Sequence, residues 1–378
     1  MGGSFMEKLY SCQASAAFGL EGLVSRELKQ SGIQDVRTDN GCVRFSATAE
    51  ELYLCNLRMH YSDRLYIVLA SGICKSFEDL FQLVGSVDWP YFFSGNESID
   101  ISCKCTRSIL MSTRDCQSIS KKSIIEKIKK ETGRKVFPES GPSLSVQISI
   151  RNDEAAVLLN VSGDALSRRG YRTWNGEAPL RETLAAALVS LSGWRPGQPL
   201  HDPCCGTGTI LTEAALLAEG RAPGINRHFA MEDYRCFSGV DFRKIREEEL
   251  SRSAPDRVRD ISGSDINPEA LELARRHIRQ AGLNESIIPL EQIALQDLSV
   301  DKENGYFICN PPYGERLSDQ KQCRALYHDL FLLKQRHPTW KLCAISSDPA
   351  FERSFGRRAD RKRRLYNGRL ECVYYIYY

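Results

Sequence analysis

The chain has 378 residues, 42% hydrophobic and 26% charged, with a formal net charge of +3. That composition belongs to a globular protein of two or three domains, and no apolar run approaches the ~18 residues a membrane helix needs. A chain this close to neutral is not broadly adhesive to nucleic acid, so such a role must come from local clusters of charge.

In the first part of the chain, Gly19 to Gln30 (GLEGLVSRELKQ) has apolar residues at helical spacing and stops at Gly32. Glu50 to Leu57 reads as a second helix, Arg64 to Ala70 as a strand, and Phe77 to Val84 as a helix before the turn at Val87 to Pro90. Ser98 to Cys105 (SIDISCKC) alternates with period two. Asp115 to Thr132 is an amphipathic helix with Ile119, Ile124, Ile125 and Ile128 facing inward. Leu144 to Arg151 and Ala155 to Asn160 form a strand pair turning at Asn152-Asp153. Near residue 165 the pattern changes across a cluster of turn residues.

Beyond it, strands and helices alternate, which implies a parallel sheet covered on both faces. Leu180 to Leu191 is an alanine-rich helix. Pro199 to Asp202 is a strand, followed by a Gly-rich turn and a helix from Thr209 to Glu219. Asp260 to Asp265 is the next strand and Pro268 to Ala281 its helix, with Pro where a first turn tolerates it. Ile287 to Glu291, Gly305 to Cys309 and Trp340 to Ser346 are strands, and Cys323 to Gln335 a helix. The carboxyl terminus is two β-rich runs joined at Asn367-Gly368, which predicts a type I′ hairpin. Residues 220–259 read as an insertion, with a charged surface helix over Phe242 to Arg252.

The 14 cysteines contain no CxxC pair, and the closest pairs are Cys103/Cys105 and Cys204/Cys205. None of the six histidines stands at ligand spacing near them. We expect reduced core thiols, no metal and a cytoplasmic protein, in keeping with an amino terminus that lacks the order of a signal peptide. Met1 to Phe5 are set aside from fold reasoning.

Four stretches carry chemistry. In Asp202 to Thr209 (DPCCGTGT) the two glycines let the backbone approach a ligand, and the helix behind offers free N–H groups. An acid opening that loop suits a ligand with a positive group, such as an ammonium. Asp265 ends the second strand, where a carboxylate takes ribose hydroxyls; it is also a candidate N-cap for the helix after Pro268. Asp297 in LQDL is placed to accept from an adenine amine. In Asn310 to Tyr313 (NPPY) two prolines halt a core strand at the ligand edge. They preorganise the Asn310 carboxamide and Pro311 carbonyl as acceptors for one –NH2 group, with Tyr313 as a stacking face.

In this order the motifs resemble class I S-adenosylmethionine-dependent methyltransferases that act on amino groups. STRDCQSISKKSII (Ser112 to Ile125) resembles the signature of a THUMP RNA-binding domain, and AFGLEGLVSREL the ferredoxin-like segment before it. APLRETLAAA, NPPYGERL and RLYNGRLEC are similar to the bacterial 23S ribosomal RNA guanine-N2 methyltransferase family. The resemblance implies a Rossmann-like α/β domain, a mostly parallel seven-stranded sheet with a carboxyl-terminal antiparallel hairpin, preceded by an α+β ferredoxin-like/THUMP module. The expected domains are 1–60, 61–165 and 166–378.

It also implies methyl transfer from S-adenosylmethionine to guanine N2 of 23S RNA, either naked or within a ribosome precursor, with the base flipped out of its stack. Catalytic positions carry over to Asn310, Pro311, Pro312 and Tyr313. Cofactor contacts carry over to Asp202, Pro203, Cys205, Gly206, Thr207, Gly208, Thr183, Asp265, Ile266, Asp297 and Asn310. The segment 101–135 holds ten Lys/Arg against three acids, and 353–364 seven against one. Arg107, Arg114, Lys121, Lys122 and Arg316 are the expected RNA contacts. Competing readings are an N6-adenine methyltransferase of DNA or RNA, a non-enzymatic assembly factor, and a base methylase using Cys309 as nucleophile. The last requires a thiol that alternation turns into the core.

Overall fold

The computed structural model describes residues 8–93, 95–134, 136–172, 180–313 and 317–378. Ala178 and Pro179 of APLRETLAAA, and Gly314, Glu315 and Arg316 of NPPYGERL, lie outside the described residues, and with them the RNA-contact expectation for Arg316.

The first lobe runs β1 (Tyr10–Ala16), α1 (Glu21–Gln30), β2 (Arg37–Asp39), β3 (Cys42–Ala47), α2 (Ala49–Arg58), β4 (Ser62–Ile73), α3 (Phe77–Gly85), α4 (Trp89–Phe92), β5 (Ser98–Thr106), α5 (Thr113–Thr132), β6 (Ser143–Arg151) and β7 (Glu154–Asn160). All seven strands join one sheet, in the order β2-β3-β1-β4-β7-β6-β5. The twelve-residue β4 pairs with β1 on one side and β7 on the other, so a single core runs under both halves. Asn152 and Asp153 both adopt positive φ (51° and 63°), the two-position pattern of a type I′ turn. On α5 the Ser112 hydroxyl accepts from the Asp115 N–H, and the helix stops at left-handed Gly133. Ile124 and Ile128 are buried; Ile119 and Ile125 lie at the margin, so the inward face is narrower than the spacing predicts.

The second lobe runs α6 (Glu182–Ser192), β8 (Leu200–Asp202), α7 (Thr209–Glu219), α8 (Phe242–Leu250), β9 (Ile261–Asp265), α9 (Pro268–Gln280), β10 (Leu290–Gln292), β11 (Tyr306–Cys309), α10 (Leu317–Arg336), β12 (Lys341–Ser346), α11 (Phe351–Phe355), β13 (Arg361–Asn367) and β14 (Leu370–Tyr377). Its strand order is β10-β9-β8-β11-β12-β14-β13. β8 to β12 are parallel, and β14 and β13 close the edge antiparallel. Chain order reverses between β8 and β11, which places the ligand crevice beyond the carboxyl ends of those two strands. Successive residues of β11 serve two cores: Tyr306 and Ile308 face one, Phe307 and Cys309 the other. The closing hairpin turns at Gly368-Arg369, one residue later than expected. Only Gly368 has a left-handed φ (67°), so this turn is not type I′.

The insertion is not a surface appendage. Phe229, Met231, Tyr234 and Phe237 are buried in the core of the first lobe. From α8, Glu249 takes both hydrogen bonds of the Arg58 guanidinium (2.7 and 2.5 Å), and Arg246 holds the Ile225 carbonyl and the Tyr53 hydroxyl. At the junction Arg169, almost wholly buried, donates to the Met59 and His60 carbonyls and pairs with Glu213 of α7 at 3.4 Å. Charged residues are thus drawn inside to join the lobes, and the charge pattern of the sequence reads as solvent-facing for that reason.

Candidate active site

Every residue of β8 is buried, and Asp202 at its end is 1% exposed. Its Oδ1 accepts the Cys204 N–H at 3.1 Å. Burial, with Asp265 adding, pushes this carboxyl well above the usual carboxylate range. Among the described residues no cation pairs with it. A buried acid without a counter-ion is suited to a cationic ligand group.

The loop after Asp202 turns on Gly206 (φ 51°) and Gly208 (φ 76°), the latter capping α7. A Cβ on Gly208 would stand 2.9 Å from the Ala274 Cβ, whereas one on Gly206 would meet nothing within 4 Å. Gly208 lets α7 pack against α9, and Gly206 leaves open space for a ligand. Thr207 is held from behind, its carbonyl 3.1 Å from His277 Nδ1.

Asp265 lies beside this loop. Its Oδ2 accepts the Gly206 N–H (2.8 Å) and its Oδ1 the Asn267 N–H (2.9 Å), which leaves lone pairs on both oxygens for hydroxyl donors. It does not cap α9; Asn267 does, accepting from Glu269 and Ala270. Ile266, next along, is 69% exposed, an apolar surface at the rim suited to a flat ring. Asp297 is exposed beyond β10, in a turn closed by its N–H on the Ala294 carbonyl.

Asn310 follows β11, whose neighbours are β8 and β12, so Asp202 and Asn310 end adjacent strands. Tyr313 donates its phenol hydrogen to Asn310 Oδ1, and Tyr327 donates to the Pro312 carbonyl (3.0 Å), which braces the Pro-Pro bend from α10. Pro311 is buried and Pro312 exposed. Cys309 is fully buried and its thiol is pushed well above the ordinary range by burial, which speaks against a thiolate nucleophile there.

Thr183 lies in the first turn of α6. Its hydroxyl donates to Asp63 Oδ1 (3.0 Å), and Arg181 donates to Asp63 Oδ2 (3.2 Å), so the start of α6 is tied to β4. Sequence reasoning missed Asp63, which only the fold brings near. It also missed His201, which bridges Ser262 and Ser264 (2.8 and 2.9 Å) and is lowered to about 4 by burial. Among the expected RNA contacts, Arg107 and Arg114 are exposed, while Lys121 pairs with Glu139 (3.0 Å) and Lys122 with Glu126 (3.8 Å).

A glycine loop, a buried acid and a second acid at a topological switch point, with an Asn-Pro-Pro-Tyr bend on the next strand, define a class I S-adenosylmethionine-dependent methyltransferase. Residues 169–376 match the family described as RMKL-like, methyltransferase domain; 11–66 match the RlmL ferredoxin-like domain and 74–160 the THUMP domain. The chain belongs to this RMKL-like methyltransferase family. It is 36% identical to "Putative RNA methyltransferase YpsC" of Bacillus subtilis (strain 168), over 98% of this chain and 96% of that protein. It is 32% identical to ribosomal RNA large subunit methyltransferase K/L of Shewanella frigidimarina, over 98% of this chain but 53% of the relative, so it spans about half the length of the K/L proteins. Among solved structures, SMU.472, a putative methyltransferase complexed with SAH, is 38% identical with a TM-score of 0.91, covering 99% of both chains. A predicted N6-adenine-specific DNA methylase from Listeria monocytogenes str. 4b F2365 is 34% identical with a TM-score of 0.92, covering 98% and 96%. No described helix is long and apolar enough to cross a membrane.

Proposed function

We propose that this enzyme methylates the exocyclic N2 amine of a guanine in 23S ribosomal RNA within a ribosome precursor, the base being flipped into the pocket behind Asn310. The observation that carries the reading is Asn310 at the end of β11, one strand from Asp202, in a chain that also matches a THUMP domain. S-adenosylmethionine, when bound, supplies an electrophilic methyl group. Asp202 would meet its ammonium, Gly206 to Gly208 its methionine backbone, Asp265 its ribose and Ile266 with Asp297 its adenine. Pro203, Cys205 and Thr183 would complete the cofactor contacts, Thr183 with its hydroxyl also on Asp63.

The base amine is a weak nucleophile because its lone pair is delocalised into the ring. Asn310 Oδ1 and the Pro311 carbonyl, as acceptors, favour the tetrahedral nitrogen that attack requires. Pro312 stiffens the bend and Tyr313 stacks the base; the amine's surplus proton leaves to water after transfer. No residue becomes covalently attached. Arg107 and Arg114 would meet RNA phosphate, with the first lobe as docking module.

The Listeria protein's description as an N6-adenine-specific DNA methylase supports a second reading, since NPPY serves adenine as well as guanine amines. Labelled methyl transfer to total RNA and duplex DNA, followed by nucleoside mapping of ribosomal RNA from cells lacking the gene, separates them. Loss of one N2-methylguanosine from 23S RNA is expected. N6-methyladenine as the sole product, or label in DNA alone, would overturn the proposal.

A further inference from the structure

On β5 the side chains of Cys103 and Cys105 fall on the same face, and both pack against the first-lobe core. Cys116 reaches them from the start of α5, where its N–H donates to the Ser112 carbonyl (3.1 Å). The three sulfur atoms lie within 4.8 Å of one another, and those of Cys103 and Cys105 are 3.6 Å apart. The spacing along the sequence gave no sign of this, since the third thiol arrives through the strand-to-helix crossover.

Four-coordinate zinc with sulfur at about 2.3 Å sets neighbouring sulfurs about 3.8 Å apart. Cys103 and Cys105 are already near that separation, and Cys116 needs a shift of no more than about 1 Å, within reach of a χ1 adjustment. We propose that Cys103, Cys105 and Cys116 bind one soft d10 cation, Zn(II) or Cu(I), at the terminal strand of the first sheet. Three facts favour it. β5 is the last strand of its sheet, which gives an ion a way in. Cys116 lies near the positive end of a twenty-residue helix, which stabilises a thiolate. Three thiolates around a divalent ion leave one net negative charge, and residues 101–135 hold ten basic residues against three acids. Binding exchanges thiol protons for the ion, with no change of oxidation state.

The test uses the full reduced chain, freed of metal by a chelator. Cd(II) is followed by its sulfur charge-transfer absorption, Zn(II) and Cu(I) by competition with chromophoric chelators. One ion per chain is expected, weakened by at least about 100-fold in Cys103→Ser and Cys116→Ser and unchanged in Cys236→Ser. The stronger competitor of the two native ions identifies the metal. Should the serine variants fold poorly, alkylation of the unaltered chain decides: bound metal is expected to shield Cys103, Cys105 and Cys116 from N-ethylmaleimide. Failure to retain any ion, binding unaffected by Cys116→Ser, or shielding at other cysteines would overturn the proposal.

Discussion

The phenol of Tyr313 donates to Oδ1 of Asn310, so the ring proposed to stack a base occupies the acceptor proposed to receive its amine. A base amine entering the pocket competes with that hydroxyl. Tyr313→Phe removes the competitor and keeps the ring, so KM for RNA is expected to fall or hold while kcat stays within about tenfold. Tyr313→Ala loses stacking worth about 1–3 kcal/mol and should raise KM roughly 10-fold or more. Asn310→Ala should lower kcat by about 10²–10³. Steady-state kinetics on the RNA substrate checks all three.

Gly206 and Gly208 should respond differently to the same added methyl. Both have left-handed φ, but only Gly208 would meet a close neighbour, Ala274. Gly208→Ala is expected to cost about 2–4 kcal/mol of stability, and Gly206→Ala about 1–2 kcal/mol, with its main effect on cofactor affinity. Denaturation and calorimetric SAH binding, run side by side, separate the two.

Asp202, proposed to bind the cofactor's ammonium, opposes folding when ionised. Between its usual value of 3.8 and its raised folded value, the folded state holds the proton more tightly, so its contribution to stability falls as pH rises through that window. Asp202→Asn should therefore stabilise the ligand-free protein at neutral pH while weakening S-adenosylmethionine at least about 30-fold. Because the carboxyl is shifted upward, affinity for the cofactor's ammonium should rise as pH rises, which titration calorimetry at several pH values checks.

His201 has the opposite sign. Its imidazole is lowered from 6.5 to about 4, so its stabilising effect is complete above pH 6.5 and disappears as pH falls towards 4. The loss amounts to about 3 kcal/mol at most. Urea unfolding across that range should show the slope in the native chain and a flatter profile in His201→Phe, which cannot charge.

The Arg169–Glu213 pair is buried on both sides, and Tyr171 also donates to Glu213 (3.0 Å). Glu213→Ala strands a guanidinium and should destabilise by about 3–5 kcal/mol; a paired Arg169→Met, Glu213→Leu variant should recover much of that. Thermal unfolding of the three proteins tests this.

In the second sheet β11 and β12 were legible as short apolar runs, and β8 and β9 by the Asp that ends each, at the carboxyl edge where ligands bind. The edges of α7 match the reading, and β9, β11 and β12 fall within a residue of it. β1 was not legible: its inward residues after Tyr10 are Cys12, Ala14 and Ala16, small side chains with weak strand preference. Nor were contacts that only tertiary structure creates. Asp63 on Thr183 and the meeting of Cys116 with Cys103 join residues whose separation carries no local signal. The charged surface helix of the insertion formed as read, with Glu249 its one buried residue, but the burial of the aromatic residues before it was not legible because they are scattered among charges and have no period of their own.

That insertion determines more than stability. It leaves the second lobe after α7, packs Phe229 and Phe237 into the first lobe, and returns to begin β9. The first lobe and the sheet that carries Asn310 are thereby held together by packed aromatic residues as well as by the chain, like the two jaws of a caliper. If the first lobe grips RNA as proposed, the expected consequence is that the nucleotide is chosen by its distance from the gripped element.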